Sequence, residues 1–279
     1  MITIQDLTFT YKDETKPALK EICLTVPEGG FLGVIGPAGA GKTTLARAVT
    51  GMIPHHYPGD FYGSVAVNGL DTVDTPILDI SRLVGMVFQD VDSQIISPMV
   101  EDELLYGLEN FGIPREEVPA RVEEALQKVG IADLRERTIG SLSGGQRQKV
   151  AIASILALKP KILVLDEPTG ELDPRSSRQV FSLLKELNEE LGITVIIIEQ
   201  KIMLLCEFAR ELAVLSEGRI VRQGKTRDVL GHSEELETLG VNCPRVTTLS
   251  RTLSAKTGEE QPVCINLDEA EDMVRRLIR

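Results

Sequence analysis

Residues 32–45 read LGVIGPAGAGKTTL, with Gly36 and Gly41 bracketing four residues ahead of Lys42 and Thr43. The stretch follows an apolar β-rich run at 31–35 and precedes a helical pattern, which is the context a phosphate-binding loop needs. Glycines let the backbone turn its N–H groups inward around phosphate oxygens, and a helix starting near Lys42 adds its positive end. Lys42 is expected to reach the β- and γ-phosphates of a nucleotide, and the Thr43 hydroxyl to hold Mg²⁺. The candidate ATP contacts here are Gly36, Pro37, Ala38, Gly39, Ala40, Gly41, Lys42, Thr43 and Thr44.

A second site element is KILVLDEPTG, residues 161–170. Asp166 leaves the carboxyl end of an apolar strand, where a carboxylate can hold Mg²⁺ through water. Glu167 follows at once and is the candidate catalytic base for an attacking water. A third is TVIIIEQKI, residues 194–202, in which a doubly buried strand pattern stops at Glu199, Gln200 and Lys201. Ligands of open α/β sheets sit beyond the carboxyl ends of strands, so this cluster is a site candidate.

SLSGGQRQKVAIA at 141–153 narrows the reading. Leu142-Ser143-Gly144-Gly145-Gln146 resembles the signature sequence of ATP-binding-cassette (ABC) ATPases, a glycine turn at a helix start that offers N–H groups and a hydroxyl to a γ-phosphate. The resemblance covers residues 1 to about 230 and implies that Ser143, Gly144, Gly145 and Gln146 contact ATP bound by a second ABC ATPase. It implies an adenine-stacking role for Tyr11 in LTFTYKDE. Gln89 in GMVFQD becomes the Q-loop glutamine that touches Mg²⁺, and Asp173 in GELDP the D-loop aspartate. Glu171 departs from the small residue usual there. The metal set so implied is Thr43, Gln89 and Asp166.

Three longer stretches, at 51–69, 87–94 and 100–114, are similar to the ATPases of energy-coupling-factor (ECF) importers, which take up vitamins and transition-metal ions. Val91 stands where QDPDSQ has proline. The tail at 239–253 resembles the appendage that helps hold two such ATPases together. The resemblance implies an ATP-binding and hydrolysing subunit, peripheral on the cytoplasmic face of the cell membrane and docked on integral membrane subunits. Other readings stay open: the separate-chain ATPase of another ABC transporter, including an exporter, or a soluble non-transport ABC ATPase.

The resemblance also exposes an omission. In ABC ATPases the strand after the D-loop helix ends in a switch histidine, and here Gln200 takes that place. The only histidines are His55, His56 and His232, none near this strand. An amide can donate a hydrogen bond but carries no proton to exchange near neutral pH. Loss of proton exchange would cost on the order of 10²–10⁴-fold. The chain's own site is therefore expected to be slow, and a heterodimer is favoured over a homodimer.

These groups need a parallel sheet to hold them. Apolar runs at 31–35, 84–88, 162–165, 195–198 and 213–215 alternate with helical periodicity, notably at 122–129 and after Asp173-Pro174. The expected fold class is α/β: a P-loop ABC cassette at 1–230 with an antiparallel β subdomain and a helical lobe at about 90–160. A small, mainly helical C-terminal appendage, expected to serve dimerisation, fills 231–279. Net charge is −12 among 279 residues and aromatics are 4%, which argues against a nucleic-acid partner. Four scattered cysteines read as reduced thiols, and adjacent His55 and His56 as a loop rather than metal ligands. No run approaches the length of a membrane span.

Overall fold

Strands with apolar side chains on both faces must lie in a sheet covered on both sides. The runs that meet this condition are neighbours in one six-stranded sheet. The computed structural model describes residues 1–278. Its strands are β1 (Ile2–Tyr11), β2 (Leu19–Val26), β3 (Phe31–Ile35), β4 (Gly59–Val67), β5 (Leu70–Asp71), β6 (Val84–Val87), β7 (Ile162–Asp166), β8 (Thr194–Ile198), β9 (Glu211–Ser216) and β10 (Arg219–Lys225). The larger sheet runs β10-β9-β3-β8-β7-β6, all parallel except antiparallel β10.

The alternation along these strands divides the interior. Val195 and Ile197 of β8 enter one apolar cluster, with Leu163 and Leu165 of β7. Ile196 and Ile198 enter the other, with Ile162 and Val164. Each such side chain, once buried, contributes on the order of 1.5–3 kcal/mol. The second cluster is closed by the four-stranded antiparallel sheet β2-β1-β4-β5 and by α1 (Lys42–Val49). Between them lie three short turns, α2 (Met52–His55), α3 (Ile77–Ser81) and α4 (Val91–Gln94).

The first cluster is covered by the lobe helices α5 (Val100–Asn110), α6 (Val118–Val129) and α7 (Gly144–Leu156), with α8 (Pro174–Leu191) and α9 (Ile202–Phe208). α8 shows why such a helix forms. Asp173 caps it, accepting from the N–H groups of Arg175 (2.9 Å) and Ser176 (3.1 Å), and Pro174 starts it. Val180, Leu183, Leu184 and Leu187 face inward, and Gly192 in the left-handed conformation ends it. Removing such a cap costs about 1 kcal/mol.

Two features depart from the sequence reading. β10 is unanticipated because its exposed face carries Arg219, Gln223 and Lys225, a polar edge with little apolar alternation. The chain then forms α10 (Thr226–Leu230), α11 (Ser233–Thr238), α12 (Arg245–Thr257) and α13 (Leu267–Leu277). The polar-looking stretch GHSEELETLG contains α11, and the fully buried Leu236 anchors it, with Val241, in the main core. The apolar core therefore continues past residue 230. Among the described residues, Val246, Cys264, Ala270 and Met273 make a separate small cluster between α12 and α13. Among the described residues no helix is long and apolar enough to cross a membrane.

Candidate nucleotide site

β3 stops at Ile35 and the chain must turn at once into α1. Gly36 and Gly41 make that turn possible. A Cβ on Gly36 would stand 2.1 Å from the Leu215 carbonyl oxygen, and one on Gly41 2.5 Å from that of Ala18. Both glycines also take positive φ, 156° and 101°. No side chain caps α1 and no acidic residue occupies its first turn, so its leading N–H groups face the loop without a protein partner. Lys42 is buried and its Nζ donates to the carbonyls of Gly36 (3.0 Å) and Pro37 (2.9 Å), which poises the ammonium above the loop. Pro37 has no N–H to offer a phosphate and serves through this carbonyl. Burial lowers the Lys42 pKa, while Glu167 and Asp166 pull it back up.

Parallel register places the ends of β7 and β8 side by side, with Asp166 opposite Ile198. Asp166 is only 3% exposed and its Oδ1 has no hydrogen-bond partner. Burial pushes its carboxyl above the usual carboxylate range, and the Thr43 hydroxyl and Lys42 charge offset part of that rise. An unpartnered buried carboxylate oxygen beside a threonine hydroxyl fits a hard divalent cation that keeps its other ligands as water and phosphate oxygens. Among the described residues no three His, Cys, Asp or Glu side chains could cage a metal. Mg²⁺ held with a nucleotide is compatible with that donor set.

Glu167 takes a left-handed φ of 48° as the chain leaves β7. Its two carboxylate oxygens accept from two amides: Gln200 Nε2 to Oε1 at 2.7 Å and Gln89 Nε2 to Oε2 at 3.1 Å. Each oxygen keeps lone-pair capacity for a water. Gln89, expected beside Mg²⁺, is thus placed on Glu167.

Tyr11 meets α1 from the antiparallel sheet. Its hydroxyl lies 3.1 Å from Thr44 Oγ1 and accepts from Arg47 Nη1 at 2.9 Å. Its ring stands edge-on to Phe9 (4.9 Å) and Tyr57 (6.3 Å), and the Arg47 guanidinium stacks on Tyr57 at 4.1 Å. Arg47 and Tyr57 went unread because nothing in their spacing joins them to Tyr11.

Ser143 caps α7 in a reciprocal box: its Oγ accepts from Gln146 N–H (3.3 Å) and Gln146 Oε1 accepts from Ser143 N–H (2.9 Å). The Ser143 hydroxyl proton and the Gly144 and Gly145 amides remain free of this box. Asp173, besides capping α8, accepts the Ser176 hydroxyl, which holds its carboxyl below the usual range. A cleft of about 260 Å³ between Gln89, Glu167, Gly144, Arg147, Glu171 and Leu172 joins the signature turn to the carboxylate. Behind the loop, Gly240, Val241 and Asn242 of the tail line a recess of about 120 Å³ with Pro37 and Gln200. His55 Nε2 pairs with the Thr72 carbonyl at 2.9 Å. All four cysteines are free thiols.

Glu199 holds the backbone around Gln200. It is 2% exposed and accepts from Thr169 N–H (2.9 Å) and hydroxyl (2.5 Å), and from the N–H groups of Gln200 (3.1 Å) and Lys201 (3.2 Å).

Together, the loop, the two carboxylates and the capped glycine turn define a nucleotide-binding cassette. The family model "ABC transporter" matches residues 19–170, more than half the chain. The chain belongs to the ABC transporter ATP-binding family. A provisionally named ABC transporter ATP-binding protein of Pyrococcus horikoshii is 40% identical over 275 residues, 99% of this chain and 96% of that one. A provisionally named relative in Methanosarcina acetivorans is 41% identical over 256 residues, and the chain spans only 40% of its length. Among solved structures, CbiO1 of Clostridium perfringens, part of the ABC transporter complex CbiONQ, superposes with a TM-score of 0.76 at 32% identity, covering 90% of this chain and 98% of that one. The dimeric ABC transporter cassette MJ0796 gives 0.70 at 30% identity, covering 81% and 99%. The fold is the ABC ATPase cassette.

Proposed function

We propose that this chain binds Mg²⁺-ATP at its P-loop and hydrolyses it to energise a membrane importer of the ECF type, carrying a vitamin or a transition-metal ion. The observation that carries the hydrolytic reading is the Glu167 carboxylate held between the Gln89 and Gln200 amides, one residue beyond the partnerless Asp166 Oδ1. The importer reading is supported by the likeness to CbiO1, whose complex is a transporter assembly.

Lys42 and the leading N–H groups of α1 bind the phosphates, with Tyr11 against the base. Thr43 and Asp166, joined by Gln89 if its amide leaves Glu167, would hold Mg²⁺, which would supply charge neutralisation at the phosphates. Glu167 orients and deprotonates the attacking water. Gln200 fixes Glu167 but cannot shuttle a proton, so the chain's own site turns over slowly. Ser143 to Gln146 face the nucleotide of a second ATPase, and Asp173 lies at the same interface. We place the cassette at 1–230 and the appendage at 231–279, the start of the appendage being anchored in the cassette core by Leu236 and Val241, with a heterodimer on the cytoplasmic face of the membrane.

The test is Mg²⁺-ATP hydrolysis by the purified chain, alone and with co-purifying ATPase and membrane subunits. A chain that binds no ATP in either setting contradicts the proposal.

A further inference from the structure

Gln200 sits between two residues that both grip the same distant segment. Glu199 holds Thr169 through its backbone N–H and its hydroxyl. Lys201 grips the same stretch through its acceptors: its ammonium donates to the carbonyls of Thr169 and Leu172 (the latter at 2.7 Å) and to the Ser177 hydroxyl at 3.3 Å. An ammonium has three donors, so three acceptors use it in full and leave nothing for phosphate. Residues 169–177 form the loop that leaves Glu167, the Asp173 cap and the first turn of α8. The opposite side of that segment abuts the signature turn. A Cβ on Gly145 would lie 2.9 Å from Ser176 Oγ, and one on Gly144 3.4 Å from Leu172 Cδ2. Leu172 is therefore held at its carbonyl by Lys201 and packed at its side chain against Gly144.

We propose that Lys201 is a positioning residue that locks Gln200, the loop after Glu167 and the Gly144-Gly145 turn into one body. Through it the nucleotide state of this chain's P-loop reaches the signature that it presents to a second nucleotide. The transmission step rests on the reading of residues 143–146 given under Proposed function; the lock does not. Charge-assisted bonds to carbonyls are the stronger kind, and their removal leaves the Thr169 carbonyl only the Leu172 N–H (3.1 Å) and the Leu172 carbonyl only the Ser177 hydroxyl (3.4 Å). Methionine at 201 keeps the length of the stem and removes all three donors, whereas arginine keeps the charge and the donors.

Hydrogen exchange on the full chain, free and with Mg²⁺ and adenylyl imidodiphosphate, tests this. In the free chain, Lys201→Met is expected to speed amide exchange across 170–177 by about fivefold or more, the lower end of a typical site-to-site coupling. Nucleotide is expected to protect 36–44 in both proteins but 144–147 only in the wild type, with affinity changed less than about twofold. Lys201→Arg retains the wild-type pattern. Ser177→Ala, which removes one acceptor, shows the same change to a smaller degree and serves if Lys201→Met does not fold. Unchanged exchange at 170–177 in Lys201→Met, or in Ser177→Ala if that variant must stand in, overturns the lock. Wild-type protection of 144–147 in Lys201→Met overturns the transmission. A wild-type chain that binds no nucleotide overturns the ATPase reading, while exchange in the free chain still decides the lock.

Discussion

Glu167 and Gln200 meet at 2.7 Å because they leave the carboxyl ends of two adjacent parallel strands, whose register sets Asp166 beside Ile198. The amide supplies direction to the carboxylate and no proton. Gln200→His restores a group that titrates near neutral pH. The variant is expected to raise the turnover of the isolated protein, by up to about 10²-fold if proton exchange limits the rate. Steady-state kcat with unchanged KM for ATP is the measurement. An unchanged kcat would show that orientation is all the position supplies.

Glu167→Gln keeps the shape and removes the proposed base. ATP turnover is expected to fall by about 10²–10⁴-fold, while nucleotide affinity, assigned in our proposal to the loop and Lys42, stays within a few-fold. Single-turnover hydrolysis alongside equilibrium binding separates the two.

Asp166 yields a prediction about stability and pH. Its native pKa lies above the ordinary value of 3.8, chiefly through burial. The native state thus keeps a proton that the unfolded chain has released. Between 3.8 and the raised native value, stability falls as pH rises, and above that window the buried anion remains a cost. Asp166→Asn is expected to raise Tm at neutral pH without ligand and to abolish the extra Tm gained from Mg²⁺ with nucleotide. Thermal melts at two pH values, with and without Mg²⁺, check both signs.

Tyr11→Ala removes the aromatic expected against the base, which in stacking sites is worth about 1–3 kcal/mol, or about 5–150-fold in affinity. Tyr11→Phe keeps the ring but loses the Thr44 and Arg47 contacts and is expected to fall between the two. Equal losses for ATP and triphosphate alone would remove Tyr11 from base binding.

Glu199→Ala leaves the N–H groups of Thr169, Gln200 and Lys201 without their acceptor. At about 1–3 kcal/mol for an unsatisfied buried group, Tm is expected to drop by several degrees, on the order of 2–4 °C per kcal/mol. Calorimetry on the variant measures it.

Sequence alone determined the glycine loop at 36–41, the paired Asp166 and Glu167, the glycine turn at 143–146 and the buried strands, because each is a local pattern. A loop of that length needs glycines where φ is positive, and a doubly covered strand needs an unbroken apolar run. The Asp173 cap and the stripe of α8 were legible for the same reason. What only the tertiary structure decided lies between segments far apart in the chain. Arg47 and Tyr57 join Tyr11 there, Gln89 reaches Glu167 across 78 residues, and Leu236 carries the core past residue 230. Glu199 and Lys201 read as the polar end of a strand, and the fold made them the clasp on residues 169–177. A charged side chain's role depends on which acceptors the packing brings within about 3 Å, and no spacing along one strand encodes that.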